Sequence, residues 1–124
     1  MTREDFATAM CRSLPAGTVL KNPGRGTSTI VWIDDDRLCY QRGRARFYVF
    51  LADLHEAFQE FAGRDATTTD LKKYAPQVFD SAQRGHNCNC TVLFMALQSM
   101  GLAGPIKGSG RRGDPFGVRV AHGS

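Results

Sequence analysis

The stretch TSTIVWIDDDRLCYQRGRARFYVFL, residues 27–51, decides the fold. It holds three β-prone runs, the first of them rich in β-branched residues, and two short polar segments, Asp34-Asp35-Asp36 and Arg42-Gly43-Arg44, separate these runs. Short loops between β-prone runs join antiparallel neighbours. The stretch therefore predicts a three-stranded meander with strands at 27–33, 37–41 and 46–51.

Segments with helical periodicity lie on both sides of this meander. Residues 2–14 place Phe6, Met10 and Leu14 on one side of a helix, and residues 53–62 and about 89–100 are also typical of helices. A three-stranded sheet is stable only when another element covers its apolar face. We therefore expect an α+β fold in which the meander packs against three to four helices.

The remaining segments predict shorter elements of the same domain. A threonine at 67–69 is expected to cap a short helix through Tyr74, and Pro76 to Phe79 is expected to be an irregular turn. The stretch 116–121 predicts a closing C-terminal strand. The element order is then α-β-β-β-α-α-α-β within one domain over residues 1–124.

The composition is that of an ordinary globular domain. The chain has 124 residues, of which 42% are hydrophobic and 23% are charged. No apolar run approaches the roughly 18 residues of a membrane span. Charged residues precede any apolar run at the N-terminus, so no secretory signal is expected. We predict a cytoplasmic protein without a membrane partner, whose four cysteines are reduced.

The positive charge of the chain is concentrated in two regions. The formal net charge is +4, yet six basic residues lie between Lys21 and Arg46. After Met100 the chain has four basic residues against the single acid Asp114. Such asymmetry attracts polyanions. A solvated basic face that only maintains solubility is the alternative interpretation.

Three basic segments are candidates for binding nucleic acid. The loops at 21–26 and 107–116 combine glycine, which allows close backbone approach, with arginine, which binds phosphate in a bidentate manner. The hairpin at 40–48 alternates arginines with aromatic residues, which can stack on bases. The predicted nucleic-acid contacts are Lys21, Arg25, Arg42, Arg44, Arg46, Asn87, Asn89, Lys107, Arg111 and Arg112.

The segment Gly-His-Asn-Cys-Asn-Cys-Thr at 85–91 leads from a loop into a helix, and it permits three interpretations. His86, Cys88 and Cys90 alternate, so in extended backbone they would share one face and could bind zinc. The fourth ligand would then come from Cys11, Cys39, Asp80 or His122. Alternatively, Cys88 or Cys90 is a nucleophile whose thiolate the helix N-terminus stabilises, with His86 or His122 as base. The third interpretation is structural: Asn87 or Asn89 caps the helix, and the cysteines pack as small apolar residues.

These patterns support three functional hypotheses. The first is a small basic domain that binds nucleic acid, with DNA as the expected ligand and no cofactor. The second is an interaction or inhibitor domain that binds an acidic protein surface. The third is a small cysteine-dependent hydrolase. We expect a binding domain rather than an enzyme.

Overall fold

A computed structural model describes residues 1–122 and begins with a helix and an antiparallel sheet. The sheet has four strands in the order β1-β2-β3-β4. The elements are α1 (Arg3–Ser13), β1 (Val19–Lys21), β2 (Thr27–Ile33), β3 (Arg37–Arg42) and β4 (Ala45–Phe50). The fold is α+β, with a meander and helices, as the sequence predicted.

The meander has one strand more than the three that the sequence predicted. Val19–Lys21 pairs with the start of β2, with Lys21 opposite Thr27. The prediction placed Lys21 in a loop because a three-residue strand that is followed by Pro23 has almost no periodic signal of its own. Its stability comes from the partner strand. Within β2 the register shifts between Ile30 and Trp32.

The second half of the chain is mainly helical. Its elements are α2 (Leu51–Phe61), β5 (Asp65–Thr67), α3 (Thr68–Tyr74), α4 (Pro76–Phe79), a 3-10 turn (Ser81–Gln83), α5 (Cys88–Ser99) and β6 (Gly117–Arg119). Thr67 caps α3 in a reciprocal capping box with Asp70. The segment predicted as an irregular turn is instead the short helix α4, with Pro76 at its first position, which favours a helix start.

The predicted C-terminal strand exists, but it does not close the meander. β6 pairs antiparallel with β5 in a separate two-stranded sheet. Isolated bridges join Ala103 to Val120 and Lys107 to Gly117, so residues 103–120 form a loose hairpin. Residues 108–116 are the loop of this hairpin.

One cluster of buried apolar side chains includes residues from all five α-helices and from the larger sheet. α5 is its central element, since residues 89–97 of this helix are buried. The sheet covers the first turn of α5, where Tyr40 and Arg42 hydrogen-bond to Asn89 and Thr91. Within residues 1–122 no helix has the length and apolar character needed to cross a membrane.

The four-stranded sheet packs on the helices with one face and leaves much of its other face exposed. Directly paired residues on neighbouring strands share a face, so the register assigns each side chain. The inner face, which packs on the helices, includes Ser28, Ile30, Leu38, Tyr40, Arg42, Phe47 and Val49. The open face includes Val19, Trp32, Arg37, Cys39, Gln41, Arg46, Tyr48 and Phe50.

Candidate nucleic-acid interface

The two hairpin loops of the meander lie at the same end of the sheet. Lys21 is opposite Thr27, and Arg42 is opposite Ala45. Because β2 starts where β3 ends, the loop at 22–26 and the turn at 43–44 are neighbours. The loops and their flanks carry four exposed basic residues, Lys21, Arg25, Arg44 and Arg46.

The Phe116 ring joins the loop at 108–116 to the loop at 22–26. A Cβ atom built on Gly24 would lie 3.6 Å from Cζ of this ring, which is ordinary van der Waals contact. On the other side, a Cβ atom on Gly110 would overlap the ring, and Gly110 has a φ of +77°. The ring therefore lies between the two glycine- and arginine-containing loops and holds them together.

A tight turn at the tip of the second loop exposes two arginines. Asp114 N–H donates to the Arg111 carbonyl at 2.9 Å, and Gly110 N–H donates to the Asp114 carbonyl at 3.0 Å. The Asp114 carboxylate accepts from Ser109 N–H at 3.0 Å. These bonds order the turn from within and leave the Arg111 and Arg112 side chains exposed.

These loops together form a surface that we call the basic end. It consists of Lys21, Arg25, Arg44, Arg46, Lys107, Arg111 and Arg112, all of which are exposed. In residues 1–122 the ion pairs are Arg64 with Glu60 and Arg119 with Asp65, so the basic end has no ion pair within 4.0 Å. Unpaired cations that share one surface add their fields and raise the local concentration of polyanions.

Arg42, which was predicted to contact nucleic acid, belongs to the inner face instead. Its Nε donates to Ser28 Oγ and its Nη2 donates to Thr91 Oγ1, both at 2.6 Å. The Ser28 hydroxyl in turn donates to Asn22 Oδ1 at 2.6 Å, and Asn22 Nδ2 donates to the Arg25 carbonyl. This network orders the loop that carries Arg25, so Arg42 acts on the basic end through its neighbours.

The two asparagines before and within α5 are engaged in the protein. Asn89 is 3% exposed, accepts from the Tyr40 hydroxyl at 2.6 Å and donates to the Val78 carbonyl at 2.9 Å. The prediction that Asn89 contacts nucleic acid is therefore wrong, because the sheet covers it. Asn87 is exposed, but its side chain accepts from Ser81 N–H and does not cap α5.

His86, Cys88 and Cys90 do not converge on one point. Cys88 Sγ lies 3.0 Å from the Tyr40 hydroxyl, whereas the Cys90 thiol faces the Phe79 carbonyl at 3.7 Å. The His86 ring packs edge-on against Phe47, with centroids 5.0 Å apart. The segment from Cys88 is helical rather than extended, which separates side chains two residues apart. Within residues 1–122 no group of three His, Cys, Asp or Glu side chains is placed to hold a metal ion.

The hydrolase hypothesis also lacks a paired base. Over residues 1–122 no hydrogen bond joins His86 or His122 to either thiol. Burial raises the pKa of Cys90 to about 12, which keeps this thiol protonated at neutral pH. The arrangement of both cysteines therefore favours the structural interpretation.

The four residues that were proposed as the fourth metal ligand each lie in a different part of the structure. His122 lies against Gly63, and Cys11 Sγ lies 4.0 Å from the Ile33 carbonyl. The Cys39 side chain is on the open face and is buried. Asp80 accepts from Ala82 N–H and starts the 3-10 turn. These contacts give each residue a local structural role.

Two features of the candidate site were not predicted from the sequence. Asn22, Ser28 and Thr91 order the basic end, yet isolated polar residues on separate elements give no signal of a shared network. The aromatic cluster of Trp32 and Tyr48 on the open face was also missed as a cluster. Trp32 and Tyr48 lie on different strands, and the register shift in β2 cannot be read from the sequence.

Comparisons of the chain with models of protein families, with curated proteins and with solved structures find no match.

Proposed function

We propose that the protein binds nucleic acid through its basic end. The observation that carries this proposal is the Phe116 ring between Gly24 and Gly110, because it joins the two loops that carry Arg25, Arg111 and Arg112. Two loops held together present a pre-formed set of cations. Phosphate contacts of this kind position a protein on nucleic acid and supply most of its sequence-independent affinity.

Three features support the proposal. The cations come from three separate loops, so they extend over a surface rather than a point. Asp114 is the acid within the loop at 108–116, and its carboxylate is engaged by Ser109 N–H. Arginine, which provides five of the seven basic residues, forms bidentate bonds with phosphate. The function fits the cytoplasmic location that the sequence predicts, where nucleic acid is accessible.

The test is fluorescence anisotropy with a mixed-sequence DNA duplex and a matched single strand between about 50 and about 200 mM salt. We expect affinity to fall steeply with salt. The double variant Arg111→Ala/Arg112→Ala removes two phosphate contacts, so the slope of log K against log salt should decrease by about 2.

The matched control is Arg3→Ala/Arg12→Ala, which removes the same charge from exposed positions on α1. Arg3 lines a pocket with Asp35 at the opposite end of the sheet from the basic end. This control should retain the wild-type slope to within the error of the measurement. Equal effects of the two double variants would show that net charge, and not the basic end, determines binding.

A further inference from the structure

We infer that the open face of the four-stranded sheet binds a single-stranded segment of nucleic acid by base stacking on Tyr48 and Phe50. The inference rests on the proposed function and names its ligand class. Tyr48 and Phe50 on β4 are 52% and 49% exposed, and Val19 on β1, at the opposite edge of the same face, is 60% exposed. Three of the four large hydrophobic side chains that are exposed within residues 1–122 thus belong to one face.

Trp32 and Tyr48, two of the three aromatic residues of this face, contact each other and Arg37. The Trp32 and Tyr48 ring centroids lie 6.0 Å apart, and the Arg37 guanidinium carbon lies 5.5 Å and 5.7 Å from them. A cation over both rings limits their motion. An arginine plane beside aromatic rings is also a stacking surface for bases. The ligand would therefore meet an ordered platform rather than mobile side chains.

The positive charge of the basic end extends onto the open face through Arg46 and Arg37. Arg46 precedes Tyr48 by two residues on the same face, and its Nε donates to Gln41 Oε1 at 3.3 Å. Arg37 is paired with Phe50 on β4, and its guanidinium lies near the Trp32 and Tyr48 rings. The acidic turn at 34–36 lies beyond Arg37, at the other end of the sheet. A phosphate backbone can thus run past Arg46 and Arg37, with one base over Tyr48, which lies between them, and another over Phe50, which is paired with Arg37.

The spacing of the rings selects a single strand. Tyr48 and Phe50 are two residues apart on β4, which corresponds to about 7 Å. Bases in one strand of a duplex are about 3.4 Å apart and are paired. Stacking on both rings therefore requires an extended strand with free base faces. The arginines flanking the rings favour a polyanion over a neutral apolar partner.

The first measurement uses the intrinsic fluorescence of Trp32, the single tryptophan of the chain. An oligothymidylate of about 12 nucleotides should quench it, because a stacked base lies within contact of the Trp32 cluster. Inorganic polyphosphate is the control, since it can occupy the basic end but has no bases. Quenching by polyphosphate to the same extent would overturn the inference.

The second measurement is the affinity of variants for the same labelled oligothymidylate and for a duplex. Tyr48→Ala and Phe50→Ala should each weaken single-strand binding by about tenfold and leave duplex binding unchanged. Tyr48→Phe retains the ring and should bind as wild type. The control Tyr74→Ala removes a ring that is 41% exposed on α3 and should also bind as wild type.

The outcomes separate the inference from the proposed function. Salt-dependent binding that neither Tyr48→Ala nor Phe50→Ala weakens would overturn the inference and leave the proposed function standing. An equal loss of single-strand and duplex affinity would also overturn it. If neither form of DNA binds at about 50 mM salt, both proposals fail, and an acidic protein partner becomes the hypothesis for this surface.

Discussion

Arg42 and Arg46 flank one hairpin turn, yet they belong to opposite faces of the same sheet. Arg42 is half-buried and donates to Ser28 and Thr91 beneath the sheet. Arg46 is exposed, and its polar contact is with its strand neighbour Gln41. The tyrosines repeat the pattern, since Tyr40 is fully buried against α5 and Tyr48 is half exposed.

This difference shows that residue type alone does not separate buried from exposed positions in the hairpin. Side chains alternate between the two faces of a strand, so a shift of one residue exchanges the two sets. On the inner face, Arg42 and Tyr40 hydrogen-bond the sheet to α5. Their counterparts on the open face, Arg46 and Tyr48, remain available to a ligand.

The largest effect is expected from the arginine pair. Arg42→Met removes two short hydrogen bonds from a charged group and leaves the Ser28 and Thr91 hydroxyl oxygens without the donor from which they accept. The free energy of unfolding should fall by about 3 kcal/mol. Arg46→Met should change it by less than about 0.5 kcal/mol. Urea denaturation of both variants tests this.

An equal loss of stability in the two arginine variants would contradict this prediction. It would then follow that the contacts of Arg42 contribute no more than an exposed side chain. A native circular dichroism spectrum for both variants is the control, because it excludes a change of fold as the cause of any difference.

The tyrosine pair should show the same contrast at a smaller magnitude. Tyr40→Phe deletes the hydroxyl that donates to Asn89 Oδ1 at 2.6 Å and leaves this buried oxygen without its donor. We expect a loss of about 2 kcal/mol in the free energy of unfolding. Tyr48→Phe should change it by less than about 0.5 kcal/mol. Thermal or urea unfolding gives both values, and a neutral Tyr40→Phe would contradict the assigned hydrogen bond.

Much of the fold could be predicted because its signals are local. The β-branched run at 27–33 and the polar turn at 34–36 define the meander, and Thr67 with Asp70 defines the start of α3. β1 and β5 were not predicted: each has three residues, as β6 does, but neither lies within a longer β-prone stretch like the one at 116–121 that predicted β6. β5 is stabilised by β6, whose Arg119 is opposite Asp65. Such pairing depends on the tertiary fold.

The site was predictable in charge but not in geometry. The clustering of exposed basic residues at 21–26 and 107–116 followed from composition. The placement of Arg42 and Asn89 beneath the sheet depends on the strand register and on the path of α5, which local patterns do not contain. The contact of Phe116 with Gly24 joins positions far apart in the chain, so no short segment could indicate it.

The smallest effect concerns Cys90, on the side of α5 that faces away from the sheet. Burial raises its pKa from 9.0 to about 12, so the native state disfavours the thiolate. The contribution of the protonated thiol to the free energy of unfolding is therefore fully present below pH 9.0. It is lost as the pH rises from 9.0 towards about 12. From about pH 8 to about pH 10, this group should lower the free energy of unfolding by about 1.4 kcal/mol.

Cys90→Ala and Cys90→Ser lack an ionisable group at this position, so both should lose that part of the pH dependence. Urea denaturation at several pH values measures the difference, because all other titrating groups are common to the three proteins. Agreement between the two variants would assign the effect to ionisation rather than to packing, in which they differ. If the stability of both variants instead depends on pH as that of the wild type does, ionisation of Cys90 does not destabilise the native state. The burial of this helix would then be less complete on the side away from the sheet than beneath Tyr40.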